Sequence, residues 1–348
     1  VAVNKPKHIL VIRLSAMGDI AMLVPVLNAL IQQHPNVKVT VLTKRFIAPI
    51  VLEIPTISVK IAEIQGNHKG IFGLWRLSRE IKELGIDGVA DMHNVLRSNI
   101  LKWFLKFSPI LFYQVNKGRK EKKQLTAPVN KKLVQLKTTH VRYQEVFEKL
   151  GFLFKVDKNH VCKKENHVST VQLRGKETRI KYIGIAPFAA FKGKTYPPKK
   201  MEEVLNNLSE FNNYKVFLFG GGAIEKSTLE VWEQQFKNCQ SVAGKMSLKE
   251  ELAAIASLDL MVAMDSGNAH LAAMYGIPTI TLWGVTHPYA GFAPFGQDSN
   301  TFILSDRSMY PLIPTSIYGN KVPKGYENVM DTITPEVIIR KIIEIINN

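Results

Sequence analysis

Short apolar runs alternate along this chain with longer segments whose apolar positions recur every three to four residues. Residues 8–14 (HILVIRL) form an apolar run bounded by Ser15 and Gly18, and residues 20–33 carry helical spacing. Runs at 37–42, 57–61, 86–91 and 110–115 read as strands. Segments 71–84, 95–107 and 141–150 read as amphipathic helices. After a polar stretch at 157–179 the alternation restarts. Strands are predicted at 182–186, 214–219, 258–264 and 279–282, and helices at 199–211, 223–236, 248–257, 267–275 and 335–346. A loop-rich region spans 286–331. Strand and helix in regular alternation predict parallel sheets with crossover helices. The fold class is therefore α/β: two Rossmann-like domains facing a central cleft, with ligands beyond the carboxyl ends of the strands. No repeat of 20–50 residues and no low-complexity tract interrupts this.

Composition narrows the class. A chain of 348 residues suits two domains, and 46% hydrophobic with 22% charged residues excludes global disorder. The two cysteines, Cys162 and Cys239, lack metal-ligand spacing, so a reducing compartment is expected. No run of about 18 apolar residues predicts a membrane span, and residues 1–7 lack the apolar core of a signal segment. Lys and Arg number 46 against 29 Asp and Glu, a net charge of +17. Residues 1–170 hold 28 basic and 12 acidic residues, +16, leaving 18 and 17, +1, for the rest. The surplus implies an anionic partner. It is densest at 117–142, readable as a solvated loop or as a clamp for phosphates and carboxylates. Trp103, Phe104, Phe107 and Phe112, interleaved with Lys102 and Lys106, suit the first domain's core better than a bilayer.

Five polar clusters fall at predicted strand ends or in the loops after them. Ser15-Ala16-Met17-Gly18-Asp19 joins a strand to a helix, and Asp19 there can stabilise the helix start or act as a general base. Met264-Asp265-Ser266-Gly267-Asn268-Ala269-His270 combines small residues, which permit close backbone approach, with a helix start suited to a diphosphate. Its alternative is an N-cap with a buried imidazole. Lys194, in Lys192-Gly193-Lys194-Thr195-Tyr196-Pro197, could neutralise a leaving phosphate. Gly220-Gly221-Gly222 with Glu225 suits ribose hydroxyls, or a tight turn into a helix. Asp91-Met92-His93-Asn94 with Arg97 gathers polar groups, although Asn94 could be only a cap. No acidic pair is spaced i, i+2, so the DxD arrangement of metal-dependent sugar transferases is missing. GxxxxGK[ST], HExxH, CxxC and GxSxG are also absent.

Residues 8–30 and 245–288 together resemble glycosyltransferase family 9, the ADP-heptose:lipopolysaccharide heptosyltransferases. SxxGD at 15–19 and D[ST]GxxH at 265–270 carry the resemblance. Residues 91–98, 194–197 and 330–337 add to it. Departures are His93-Asn94 for a more usual Gln-Gly, Ala189 and Ala190 where some relatives carry threonines, and no cysteine in 310–330. The resemblance implies a GT-B fold. Residues 1–170 would bind the acceptor, 171–331 the nucleotide sugar, and the helix of 332–348 would pack back on the first domain. It implies an inverting, metal-independent and cofactor-free transfer of a sugar, heptose from ADP-heptose, to an acidic lipopolysaccharide-type glycolipid, by a cytoplasmic protein in transient contact with the anionic inner face of the inner membrane. Asp19 would be the base. Ala189, Ala190, Lys194, Glu225, Met246, Asp265, Gly267, Asn268 and His270 would bind the donor. Asp91, Asn94, Arg97, Arg119, Lys120 and His140 would face the acceptor. Rival readings are a nucleotide-sugar epimerase of the same fold, and a non-catalytic basic module for nucleic acid or membrane. No nucleic-acid partner is expected, because the basic segment lacks interleaved aromatics.

Overall fold

A computed structural model describes residues 5–162 and 180–347. Its contacts divide the chain into two units: Val1–Lys117 with Thr139–Cys162, and Gly118–Thr138 with Lys163–Asn348. In chain order the first part runs β1 (His8–Ile12), α1 (Met17–Gln33), β2 (Lys38–Thr43), α2 (Ala48–Val51), β3 (Ser58–Ile61), α3 (Gly70–Glu83), β4 (Gly88–Asp91), α4 (Leu96–Leu105) and β5 (Leu111–Gln114). Next come α5 (Arg119–Leu125), which belongs to the second unit, and α6 (Thr139–Lys149), which belongs to the first.

The first sheet is parallel, in the order β3-β2-β1-β4-β5. Every residue of β1 is buried, which explains why it reads as a continuous apolar run rather than an alternating one. Helix α3 buries Gly73, Leu74, Leu77, Ser78 and Ile81, one stripe of the 3.6-residue period. That stripe packs with Leu101 and Leu105 of α4 over Leu10, Ile12 and Val89. The chain leaves β1 toward β2 and β3, then returns to the other side of β1 for β4 and β5. The order therefore reverses between β1 and β4, where Ile12 stands opposite Asp91.

The second unit continues with β6 (Lys181–Ala186), α7 (Pro198–Ser209), β7 (Tyr214–Leu218), α8 (Ala223–Gln235), β8 (Cys239–Ser241), α9 (Leu248–Ala256), β9 (Leu260–Met264), α10 (Gly267–Ala273), β10 (Thr279–Trp283), β11 (Phe302–Leu304) and α11 (Pro335–Asn347). Its parallel sheet has the order β11-β10-β9-β6-β7-β8 and reverses between β6 and β9. Among the described residues no helix is long and apolar enough to cross a membrane.

The contacts differ from the expected domain limits in two places. The expected boundary at residue 170 itself lies outside the described residues. The basic stretch 118–138 is built onto the second unit. Leu125 and Leu136 share a small core with Ala290, and Lys131 Nζ donates to the carbonyls of Leu125 (3.2 Å), Leu312 (2.7 Å) and Pro314 (2.6 Å). The apolar face of α11, expected on the first domain, buries Ile338, Ile342 and Ile346 in the second unit's core, with Met201, Val204 and Leu205 of α7. Three isoleucines at i, i+4 and i+8 make one apolar stripe. Their spacing says that the stripe must be covered, not by what. Ile342 is wholly buried, so Ile342→Ala is expected to destabilise this unit by about 2–5 kcal/mol. Urea denaturation checks this. A loss within about 0.5 kcal/mol, the range of surface substitutions, would mean that α11 contributes nothing to this core.

Candidate active site

Four of the five polar clusters follow the carboxyl ends of the strands that flank an order reversal, where open α/β sheets bind ligands, and the Gly220–Glu225 cluster follows the neighbouring β7.

In the first unit the chain leaves β1 through Arg13 and turns into α1 at Ala16. Asp19 is the third residue of the helix, and its carboxylate accepts from the Ala16 N–H at 3.2 Å. This satisfies one amide of the helix start. The same carboxylate pairs with the Arg13 guanidinium, which is itself buried and donates to the Met92 carbonyl at 2.6 Å. Arg13 thus ties the end of β1 to the loop after β4 and fixes the orientation of the carboxylate. About a quarter of the Asp19 side chain stays exposed, so the group is held but accessible. The carboxylate thus supports the helix start and stands at the sheet's reversal point.

The loop after β4 is organised by Asp91. That residue is fully buried, and its carboxylate accepts from the N–H groups of His93 and Asn94 and from Gln114 Nε2, each at 2.9 Å. Asp91, read as an acceptor residue, is thus committed to positioning the loop and exposes no surface of its own. Asn94 takes a left-handed backbone conformation, φ 42°, and donates to the Val115 carbonyl at 3.0 Å. Arg97 is exposed at the start of α4 and edges a groove with Lys69, Ile71 and Leu96. His140 is buried at the start of α6. Arg119 and Lys120 are exposed on α5, in the other unit. The six expected acceptor residues are thus divided between two units.

In the second unit Lys194 comes from the loop after β6, and Asp265 follows β9 directly. Lys194 Nζ donates to the Asp265 carbonyl at 2.5 Å and lies 3.4 Å from its Oδ2. The pair bridges the reversal point and leaves one of three ammonium protons for another acceptor. Beside it, Ser266 Oγ and Asn268 Oδ1 are buried without a hydrogen-bond partner among the described residues, and Gly267 opens α10. His270 is buried in that helix. Glu225 accepts from the Gly221 N–H at 2.7 Å at the carboxyl end of β7. Met246 is half-buried just before α9, and Ala189 and Ala190 lie in the loop after β6. Among the described residues no group of three or more His, Cys, Asp or Glu is placed to hold a metal ion.

Three residues given no role in the sequence now carry one. Arg13 is the one charged residue within the apolar run of residues 8–14 apart from a terminal histidine. A guanidinium at the end of a buried strand demands a counter-charge, and that was the available signal. His93 brings Nε2 to 3.3 Å from Ser15 Oγ. Burial, with Arg13 and Lys117 nearby, lowers its pKa from the ordinary 6.5 to about 4, so this imidazole is neutral at pH 7. Gly319 lies against the aliphatic stem of Lys194 at φ +85°, and a Cβ there would collide with Lys194 Cγ. No sequence signal linked these two positions.

Two expectations follow. Burial lowers His287, in the second unit, to about 4 as well. Between pH 6.5 and about 4 the unfolded chain binds protons that the folded imidazoles refuse. Stability from these groups is full above pH 6.5 and declines as pH falls toward 4. Melting curves at pH 7 and pH 5 should differ less for His93→Gln/His287→Gln than for the wild type, and equal slopes would contradict buried neutral imidazoles. Gly319→Ala should push Lys194 off Asp265 and weaken anion binding in this unit about tenfold, read by titration with pyrophosphate. Unchanged affinity would separate Gly319 from the site.

Residues 74–314 match the model of glycosyltransferase family 9 (heptosyltransferase). The lipopolysaccharide core heptosyltransferase OpsX of Haemophilus influenzae is 24% identical over 302 residues, covering 85% of this chain and 84% of that protein. A solved glycosyl transferase family 9 structure from Veillonella parvula superposes with a TM-score of 0.71 at 21% identity, covering 98% and 97% of the two chains. The E. coli heptosyltransferase WaaC, solved with ADP-2-deoxy-2-fluoro heptose, gives a TM-score of 0.67 at 18% identity, covering 97% and 99%. Two parallel Rossmann-like sheets and these neighbours make the fold GT-B. With more than half its length matched by the family model, the chain belongs to glycosyltransferase family 9, the heptosyltransferase family.

Proposed function

We propose that this enzyme transfers a heptosyl group from an ADP-heptose-type donor to an acidic acceptor of the lipopolysaccharide core, with inversion and without a metal ion. The observation that carries the reading is the placement of charge at each sheet's reversal point: Asp19 held by Arg13 in the first unit, Lys194 paired with Asp265 in the second.

In this mechanism an acceptor hydroxyl attacks the anomeric carbon from the face opposite the leaving group. The new C–O bond forms as the bond to the diphosphate oxygen breaks. Asp19 takes the hydroxyl proton, and the nucleoside diphosphate leaves with the bonding pair. Help of this kind from a positioned base is worth about 10²–10⁴ in rate. Lys194, His270 and the amides at the start of α10 meet the charge that develops on the diphosphate. Ser266, Gly267 and Asn268 offer small or hydrogen-bonding groups to the same ligand, and Glu225 and Met246 extend its site. Support for the donor comes from the ADP-sugar analogue carried by the WaaC neighbour. Support for the acceptor comes from the OpsX relative and from the +16 surplus of residues 1–170. Cations suit an acceptor bearing phosphates and acidic sugars, presented at the anionic cytoplasmic face of the inner membrane.

The test combines ligand binding with turnover. A melting-temperature panel with ADP, UDP, GDP and their sugars should single out the adenine nucleotides, since a ligand at 100 times its Kd adds about 2.7 kcal/mol to stability. Nucleoside diphosphate should be released only when acceptor is added, which separates a transferase from an epimerase. Asp19→Asn should keep the donor-induced shift and lose at least a hundredfold in turnover. Wild-type turnover in that variant would remove Asp19 as the base.

A further inference from the structure

We infer that the outer face of α3 and α4 is the surface by which the protein docks on an anionic lipid bilayer. The two helices lie side by side over the first sheet, and their outward positions are not those of an ordinary solvated face. Phe72 is 84% exposed, Trp75 47%, Leu96 76%, Trp103 63% and Phe107 89%. Phe72, Trp75 and Arg79 follow helical spacing along α3, as Leu96, Trp103 and Phe107 do along and just beyond α4. The sequence reading placed Trp103 and Phe107 in the core. Only Phe104 and Phe112 of that group pack against it; Trp103 meets the Phe104 ring edge-on at 5.1 Å, and Trp103 and Phe107 both keep most of their surface exposed.

Cations surround the rings. Lys69, Arg76, Arg79, Lys82, Arg97, Lys102 and Lys106 are all exposed here. The acids on these helices are Glu83 and Glu80, and Glu80 is engaged by Lys60 at 2.6 Å and His68 at 3.2 Å. Arg79 lies 5.2 Å from the Trp75 ring centre, and Lys106 5.8 Å from that of Phe107. Aromatic rings set among lysines and arginines match the layered chemistry of a bilayer interface: rings at the level of the headgroups, cations on the phosphates. Charge also decides among occupants. A second copy packed symmetrically on this face would set like charges against like, and a neutral partner would leave them unanswered. The anionic bilayer satisfies both the rings and the cations.

The face is continuous with the region assigned to the acceptor. Ile71 and Leu96 on its edge line the same groove, about 410 Å³, as Lys69 and Arg97. A substrate anchored in the bilayer under α3 and α4 would reach that groove without leaving the membrane surface. This last step rests on the proposed function, whereas the docking itself does not.

The chain reports on its own docking. Of its four tryptophans, Trp232 and Trp283 are each 1% exposed, whereas Trp75 and Trp103 sit on this face. Vesicles of phosphatidylglycerol and phosphatidylcholine with brominated acyl chains should co-sediment with the full chain and quench its fluorescence. Pure phosphatidylcholine vesicles should do neither, and salt should weaken the binding. Phe72→Ser/Phe107→Ser should cut vesicle affinity at least tenfold, and Lys102→Glu/Lys106→Glu about fivefold per position. Transfer to a soluble, delipidated acceptor should be unchanged in the Phe variants. Absence of binding, binding without quenching, or binding indifferent to both variants would overturn the docking face. So would lipid-independent self-association, or nucleic-acid binding, lost in those same variants. Vesicle binding without sugar transfer would leave the docking face standing and remove the proposed function.

Discussion

A charge withdrawn from water has to find a counter-charge close by, and two such pairs organise this molecule. Arg13 cannot end a buried strand without Asp19 and the Met92 carbonyl. Lys194 answers Asp265 in the same way. Each pair lies at a point where strand order reverses and neighbouring crossovers leave in opposite directions. The topology opens a crevice there, and the ion pair holds its walls in register. Polar groups are tolerated at these places because the pairs have already met the cost of burying them.

The supporting residues share a logic. Asp91 is spent on two backbone amides and Gln114, so the loop after β4 is fixed before any ligand arrives. Gly319 supplies nothing except space, and that space lets the Lys194 stem reach across the reversal point. The ammonium of Lys131 is consumed by three carbonyls. The densest basic stretch therefore serves partly as a clasp within the second unit, Lys122 is buried against the Phe292 ring, and the exposed charge stands on Arg119, Lys120, Lys123, Lys132 and Lys137. A count of positive charge along the sequence overstates what is free to bind an anion.

The face proposed for docking rests on a different balance. Helices α3 and α4 each spend one stripe on the core and present the other to the outside. On a soluble protein the second stripe is ordinarily polar. Here it holds aromatic side chains among cations, which a purely aqueous setting would not reward. The acceptor proposed for this family member and the proposed docking face draw on the same basic surplus of residues 1–170, and each calls for an anionic partner.

Much was legible in the chain alone. The apolar runs marked β1 to β7, β9 and β10 but not the short β8 and β11, helical spacing marked the long helices, and their alternation implied parallel sheets. The clusters around Asp19, Asp91 and Asp265 were predicted at strand ends, because such a cluster cannot sit inside a buried strand. The tertiary structure alone decided the partners. It paired Arg13 with Asp19, turned Asp91 inward, gave residues 118–138 and α11 to the second unit, and left Trp103 and Phe107 outside. The reason is physical. Periodicity along a chain determines which face of an element is apolar and where a charge falls, but burial and pairing belong to residues distant in sequence. Only the folded chain brings those together.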